Sequence, residues 1–170
     1  QCPSFTGELP DEWAGLAGTH KCTETIFQNE VTRTYFNDAN LSGVTMNFYK
    51  YGSINYVDFS DADLTGIKTS NVAFRDSKFI GTKLNDSEMG LATFFYVDFS
   101  NAELNNSQFT KTPFFQNVSF HNAKITNGYF EKPIFIDTDF SNADLDNTLL
   151  DEPIIIGDND RTCKNNQICN

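Results

Sequence analysis

Large apolar side chains recur every five residues along most of this chain: Phe59, Leu64, then Phe74, Phe79, Leu84, Met89, Phe94, Phe99, Leu104 and Phe109, with Thr69 as a polar member. A period of five fits neither a helix, at about 3.6, nor a flat strand, at about 2. Two residues before these centres stand small ones, among them Val57, Ala62, Val72, Ser77, Thr82, Ser87, Ala92, Val97, Ala102 and Ser107. Longer phrases repeat as well. YVDFSDADLTG at 56–66 returns as YVDFSNAELNN at 96–106 and as IDTDFSNADLDN at 136–147, with a weaker form, YFNDANLSG, at 35–43. Self-similarity of this kind predicts stacked units that share one continuous core.

The segments NDANLSG, SDADLTG, SNAELNN and SNADLDN match the consensus A(D/N)LXX, and over residues 26–152 the chain resembles the pentapeptide-repeat family. The resemblance implies an all-β fold, a right-handed quadrilateral β-helix with four pentapeptides per turn, whose central Leu or Phe and the small residue two before it point inward. Grouping the centres in fours supports that geometry. Six turns result, starting at Val31, Ile54, Phe74, Phe94, Phe115 and Phe135. The second column is then Phe36, Phe59, Phe79, Phe99, Phe120 and Phe140, and the third is Leu41, Leu64, Leu84, Leu104, Ile125 and Leu145. The count slips twice, by three residues between Met46 and Ile54 and by one between Phe109 and Phe115. Both slips fall between the fourth column and the first, as insertions at one corner of a coil would. The residues two after the second- and third-column centres are Gly, Asn or Asp in every turn, types that accept left-handed corners. At a rise of ~4.8 Å per turn, six turns give a rod ~29 Å long.

Three segments are expected: an N-terminal cap over 1–25, the repeat coil over 26–152 and a C-terminal capping tail over 153–170. LPDEWAGLA at 9–17 reads as a short helix, with Pro10 and two acids early and Gly18 after the end, so that Trp13 and Leu16 would cover the first turn. At the other end Ile154, Ile155 and Ile156 would cover the last turn. The four cysteines lie in two pairs at the chain ends. They read as disulfides of an oxidising compartment or, alternatively, as four free thiols. Ends ~29 Å apart cannot be bridged, so the rod that the resemblance implies favours Cys2–Cys22 and Cys163–Cys169.

The 170 residues carry 12 Lys+Arg and 23 Asp+Glu, a net charge of -11. The imbalance sits at the ends: residues 26–130 hold 10 acids and 8 bases, and residues 131–170 hold 9 acids and 3 bases. Signs alternate before the third-column centres, through Asp63, Lys83, Glu103, Lys124 and Asp144, an order that resists slippage by one turn. With His20 and His121 as the two histidines, no Ser/His/Asp set or Cys/His zinc site is expected, and no phosphate loop, basic stripe or membrane-spanning run is present. No enzyme activity, cofactor, metal or nucleic-acid partner is expected. Outward aromatic and aliphatic residues gather beside the first column: Phe95, Tyr96, Phe114, Ile134, Ile136 and Tyr56, with Phe48, Tyr49 and Tyr51 from the three-residue slip. They form a candidate contact patch for another protein or for self-association, unless the rings fold down over the bulged corner.

The resemblance offers two functions. One is a non-enzymatic binding or scaffold module like the pentapeptide-repeat proteins of the cyanobacterial periplasm and the thylakoid lumen, here a mature chain after signal removal. The other is a DNA-mimicking protein that binds DNA gyrase, like the quinolone-resistance members. A mimic needs negative charge along the rod, and the bases at Lys78, Lys83 and Lys124 interrupt it. Phe99→Ala is expected to be severely destabilising, and Asn105→Ala, on an outward position, nearly neutral.

Overall fold

A computed structural model describes residues 25–26, 30–33, 35–43, 45–159, 161–166 and 168–169. Its elements are twelve strands: β1 (Thr25–Ile26), β2 (Glu30–Thr32), β3 (Thr45–Asn55), β4 (Lys68–Arg75), β5 (Glu88–Gly90), β6 (Thr93–Phe95), β7 (Gln108–Thr110), β8 (Phe114–Gln116), β9 (Tyr129–Glu131), β10 (Ile134–Ile136), β11 (Leu149–Asp151) and β12 (Ile154–Ile156). Every pairing is parallel, and partners lie about one turn apart in sequence: Phe74 against Phe94, Phe94 against Phe115, Phe115 against Phe135. The strands supply two ladders per turn, along the fourth and first columns. Single bridges supply two more, Tyr35–Asp58–Lys78–Asp98–Ser119–Asp139 along the second column and Asn40–Asp63–Lys83–Glu103–Lys124–Asp144–Lys164 along the third. The result is a parallel β-solenoid of about five turns with no helix among the described residues. The expected cap helix over 9–17 and the Cys2–Cys22 bridge lie outside the described residues.

The core is the set of residues that the five-residue pattern singles out. Centres and small partners from Ile54 to Leu150 are buried. The second-column rings stack face to face at 4.8 to 5.2 Å. The first-column rings stack likewise, at 5.2 Å for Phe74–Phe94 and 4.9 Å for Phe94–Phe115. Between columns most rings meet edge to face, as Phe135 and Phe140 do at 86°, while Phe130 lies tilted to Phe115 and Phe135. Both arrangements suit the ring quadrupole, each pair adding about 0.5–1.5 kcal/mol beyond area burial. Several polar members of the small set donate to carbonyls of the preceding turn. The Thr82 hydroxyl donates to Phe59 O, that of Ser107 to Leu84 O and that of Thr148 to Ile125 O. These three hydroxyls are tolerated inside because each has an acceptor one turn down, while Ser87 donates instead to the Ser107 hydroxyl and Thr138 to Ile136 O.

The chain turns each corner through a left-handed residue, at 56, 61, 66, 71 and 76 and onward to 157. Asn, Asp and Gly fill most of these positions, but Arg33, Tyr56, Leu91, Tyr96, Lys111, Thr112, Lys132 and Glu152 also adopt φ between 46° and 63°. Those eight flank the first and fourth columns, so the left-handed requirement holds at all four corners, beyond the two where the residue types announce it. The two count slips sit where the sequence places them. β3 is irregular between Asn47 and Gly52, and the single extra residue gives consecutive left-handed Lys111 and Thr112.

The ladder runs on past Pro153. β12 pairs with β10 in register, and Lys164 bridges Asp144. Pro113, Pro133 and Pro153 occupy one slot, two before the first-column centre, where a missing N–H is harmless at a strand start. The expectation that Ile154, Ile155 and Ile156 together cover the last turn is corrected by strand alternation. Ile155 packs against the core, while Ile154 and Ile156 face outward and are 51% exposed. Cys163 takes the small third-column slot above Ala143, whose carbonyl accepts from Lys164 N, and is bonded to Cys169 with Cα atoms 5.0 Å apart. Ile168 is buried at this end.

Candidate contact surface

The first-column ladder fixes what its outer face presents. β6, β8, β10 and β12, and Ala73–Arg75 of β4, are three-residue registers with the centre turned inward, so the residue on each side of the centre points out. One outward line reads Ala73, Thr93, Phe114, Ile134, Ile154, and the other reads Arg75, Phe95, Gln116, Ile136, Ile156. Phe95, Tyr96, Phe114, Ile134 and Ile136 are thereby brought to one face, while Tyr56 stands two turns before Tyr96 on the adjoining corner line. Phe95 and Phe114 are half-buried, their ring centroids 5.4 Å apart, and the Arg75 guanidinium lies 4.2 Å from the Phe95 centroid. Such a cation–π contact partly covers the ring and keeps a charge on the patch. Tyr56 and Tyr96 remain 58% and 60% exposed at left-handed corners. The side chains of Phe48, Tyr49 and Tyr51 lie outside the described residues. Ile154 and Ile156, expected from sequence only as cover for the last turn, and Arg75, not singled out at all, join the face. The recurrence of proline at 113, 133 and 153 would have found the two isoleucines, because it carries the repeat one turn further.

The second- and third-column faces are mostly polar and internally bonded, although Tyr35 is exposed beside the second column and Leu91 and Leu149 beside the fourth. Outward Asp and Asn beside the second and third columns accept from the amide two residues on, as Asp58 does from Ser60, Asp63 from Thr65, Asp98 from Ser100 and Asp139 from Ser141. Each closes an Asx turn at a corner. At Asp58, burial acts to raise the carboxyl pKa, but the Ser60 hydrogen bonds and the Lys78 charge outweigh it and hold the group below its ordinary 3.8. A side-chain ladder climbs the third face. Asn105 donates to Asn85 at 2.8 Å and accepts from Thr126 at 2.5 Å. Among the described residues the ion pairs are Lys68–Glu88 at 2.7 Å and Lys132–Glu152 at 3.1 Å, both exposed. The alternating charges of the third column therefore shape the field along the stack without contact pairing.

His121 Nδ1 lies 2.6 Å from the Ser141 hydroxyl, a contact the sequence spacing did not reveal. No carboxylate touches the ring among the described residues, so nothing there orients it as a base. No group of His, Cys, Asp or Glu among the described residues is placed to hold a metal ion. No helix among the described residues is long and apolar enough to cross a membrane.

Comparison with known proteins bears on the fold. The family described as Pentapeptide repeats matches in 8 copies, over residues 58–94, 73–110 and 115–151. No curated protein matches the chain. Among solved structures the chain is similar to QnrB1, described as a plasmid-mediated fluoroquinolone resistance protein, at 11% identity and a TM-score of 0.47, covering 77% of this chain and 82% of that one. It is also similar to a pentapeptide repeat protein from the Arabidopsis thaliana thylakoid lumen, at 18% identity and a TM-score of 0.29, covering 72% and 68% of the two chains. Rfr23, a pentapeptide repeat protein from the cyanobacterium Cyanothece 51142, is 18% identical with a TM-score of 0.22, covering 61% and 64%.

Proposed function

Since this chain belongs to the pentapeptide-repeat family, we propose that it is a non-enzymatic binding or scaffold module that engages another protein through its first-column face. The observation that carries the reading is the residue choice on that face. A non-glycine residue at a left-handed corner costs roughly 1–2 kcal/mol. Asn, Asp or Gly takes most corners, yet Tyr56 and Tyr96 hold theirs with rings largely in solvent. Rings that do little for the core at positions where the backbone disfavours them point to a contact. The reading takes the coil as right-handed, with six turns counted from Val31 to Leu150 and a helical cap before it.

The decisive experiment is the double change Phe95→Ser with Ile136→Ser. The expected result is loss of the protein partner captured from an extracytoplasmic fraction, with the melting temperature kept. Unfolding of the double variant would identify these side chains as core and remove the claim. An extracytoplasmic site, in a periplasm or thylakoid lumen, is part of the proposal because the Cys163–Cys169 bond suits an oxidising compartment. Gyrase binding by DNA mimicry is the second reading, motivated by the net charge of -11. The third-column ladder from Asp63 to Lys164 alternates in sign, which opposes it. A supercoiling assay separates the two, since inhibition of gyrase by the wild-type rod would favour mimicry.

A further inference from the structure

β12 ends the ladder. Its strand neighbour among the described residues is β10, so its other edge has no strand against it. Ile154 N donates to Pro133 O, and Asp137 N donates to Ile156 O. The backbone of Ile154 and Ile156 thus faces β10, and by strand alternation the N–H and C=O of Ile155 face away from it, along the coil axis. Edges of this kind are usually blunted by a charge within the strand or by a covering segment. Here the strand is three isoleucines. The C-terminal tail closes a different part of the end: Asn166 donates to Thr148 O, and Cys163 sits over the third column. Ile155 stays only partly buried.

We infer that β12 accepts a short apolar strand from another polypeptide, flanked on both sides by basic residues, which adds to the solenoid as a further rung. The inference rests on the reading of the first-column face as a contact surface. The two arriving outward residues continue the lines Phe114–Ile134–Ile154 and Ile136–Ile156, and the inward one covers Ile155. The Ile155 N–H and C=O gain partners, the mode of β-strand addition at an open edge.

Charge selects the occupant. Asp151 and Glu152 precede β12, and Asp158 follows it, its amide bonded to Asp137 at 2.8 Å. Against these four carboxylates stands Lys132, which pairs with Glu152 at 3.1 Å. A second copy of this chain would bring the same carboxylates to the same edge, and like charges brought together oppose association. A strand with a base at each flank meets acids at both ends of β12.

The test uses the full chain and a labelled peptide, acetyl-Lys-Ile-Val-Ile-Lys-amide, read by fluorescence anisotropy beside its Glu-flanked counterpart. The Lys-flanked peptide is expected to bind about ten-fold more tightly than the Glu-flanked one and to weaken between about 20 mM and about 300 mM salt. Ile155→Pro removes the outward donor and leaves the bonds to β10, so it is expected to abolish binding with the melting temperature kept. Should that variant loosen the end, Ile156→Lys serves as the second, since it repels the peptide from an exposed position. Binding of neither peptide, equal binding of both, or unchanged binding to the two variants would overturn the inference. So would a dimer of the chain that Ile155→Pro dissociates, because a second copy would then own the edge. If peptide binding fails while Phe95→Ser with Ile136→Ser still loses its protein partner, the edge inference falls and the contact reading stands.

Discussion

Thr69 shows how a single side chain interrupts an otherwise apolar column. It is buried at a fourth-column centre, and its hydroxyl has no hydrogen-bond partner among the described residues, unlike the hydroxyls of Thr82, Ser107 and Thr148. The difference is position: those three stand at small slots beside a carbonyl of the turn below, whereas a centre points at other side chains. Thr69→Val keeps the shape and removes the orphaned group, and is expected to stabilise the fold by about 1 kcal/mol in chemical denaturation. Asp58 makes a pH-dependent contribution. Its folded pKa lies below 3.8, so its stabilisation is present above that value and is lost as pH falls through the lowered one. Asp58→Asn keeps an acceptor for the Ser60 amide but carries no charge. The melting-temperature advantage of wild type over this variant is expected to hold near neutrality and to shrink below pH 3.8. A gap that stays constant across that range would assign the effect to shape alone.

At the scale of the ladder, inward and outward positions differ less than the sequence suggests. Phe99 is fully buried between Phe79 at 4.8 Å and Phe120 at 5.1 Å, and its truncation to Ala is expected to cost about 3–5 kcal/mol. The outward position of Asn105 by itself predicts a nearly neutral truncation. Its bonds to Asn85 and Thr126 change that, and Asn105→Ala is now expected to cost about 1 kcal/mol. Urea denaturation of the two variants checks both, and an Asn105→Ala value near zero would show the polar ladder to be without energetic weight. The corner at Lys111 and Thr112 is the costly one. A β-branched residue at φ 58° is a true outlier, and Thr112→Asn is expected to stabilise by roughly 0.5–1 kcal/mol. A melting temperature unchanged or lowered would mean that the Thr side chain itself supports the corner.

For the whole molecule, stability is a sum over neighbouring turns, so the ends decide where opening begins. The Cys163–Cys169 bond closes a loop with a sequence separation of 6 over the third column. Closing so short a loop contributes about 2 kcal/mol in the chain-entropy account. Cys169→Ser is expected to speed amide exchange in residues 149–169 and to leave the turns from Phe94 to Ile125 protected. Equal loss of protection along the coil would instead mean that the rod opens as one unit.

By itself the sequence determined the repeat, its register and its core. Inward residues of a solenoid meet their counterparts in the next turn, and that demand writes Phe over Phe and Leu over Leu in plain succession. The corner that absorbs extra residues was legible for the same reason, since an insertion anywhere else would break the columns. Three matters waited on the tertiary structure. Left-handed corners at Tyr96 and Lys132 carry no signal in residue type, because there the backbone conformation is imposed by the stacked turns around them. The bonding of Asn85, Asn105 and Thr126 depends on side-chain positions about a turn apart, which periodicity leaves open. The outward turn of Ile154 and Ile156 was settled by the pairing of β12 with β10, because a run of three identical residues hides its own alternation and the proline recurrence alone points to a centre at Ile155.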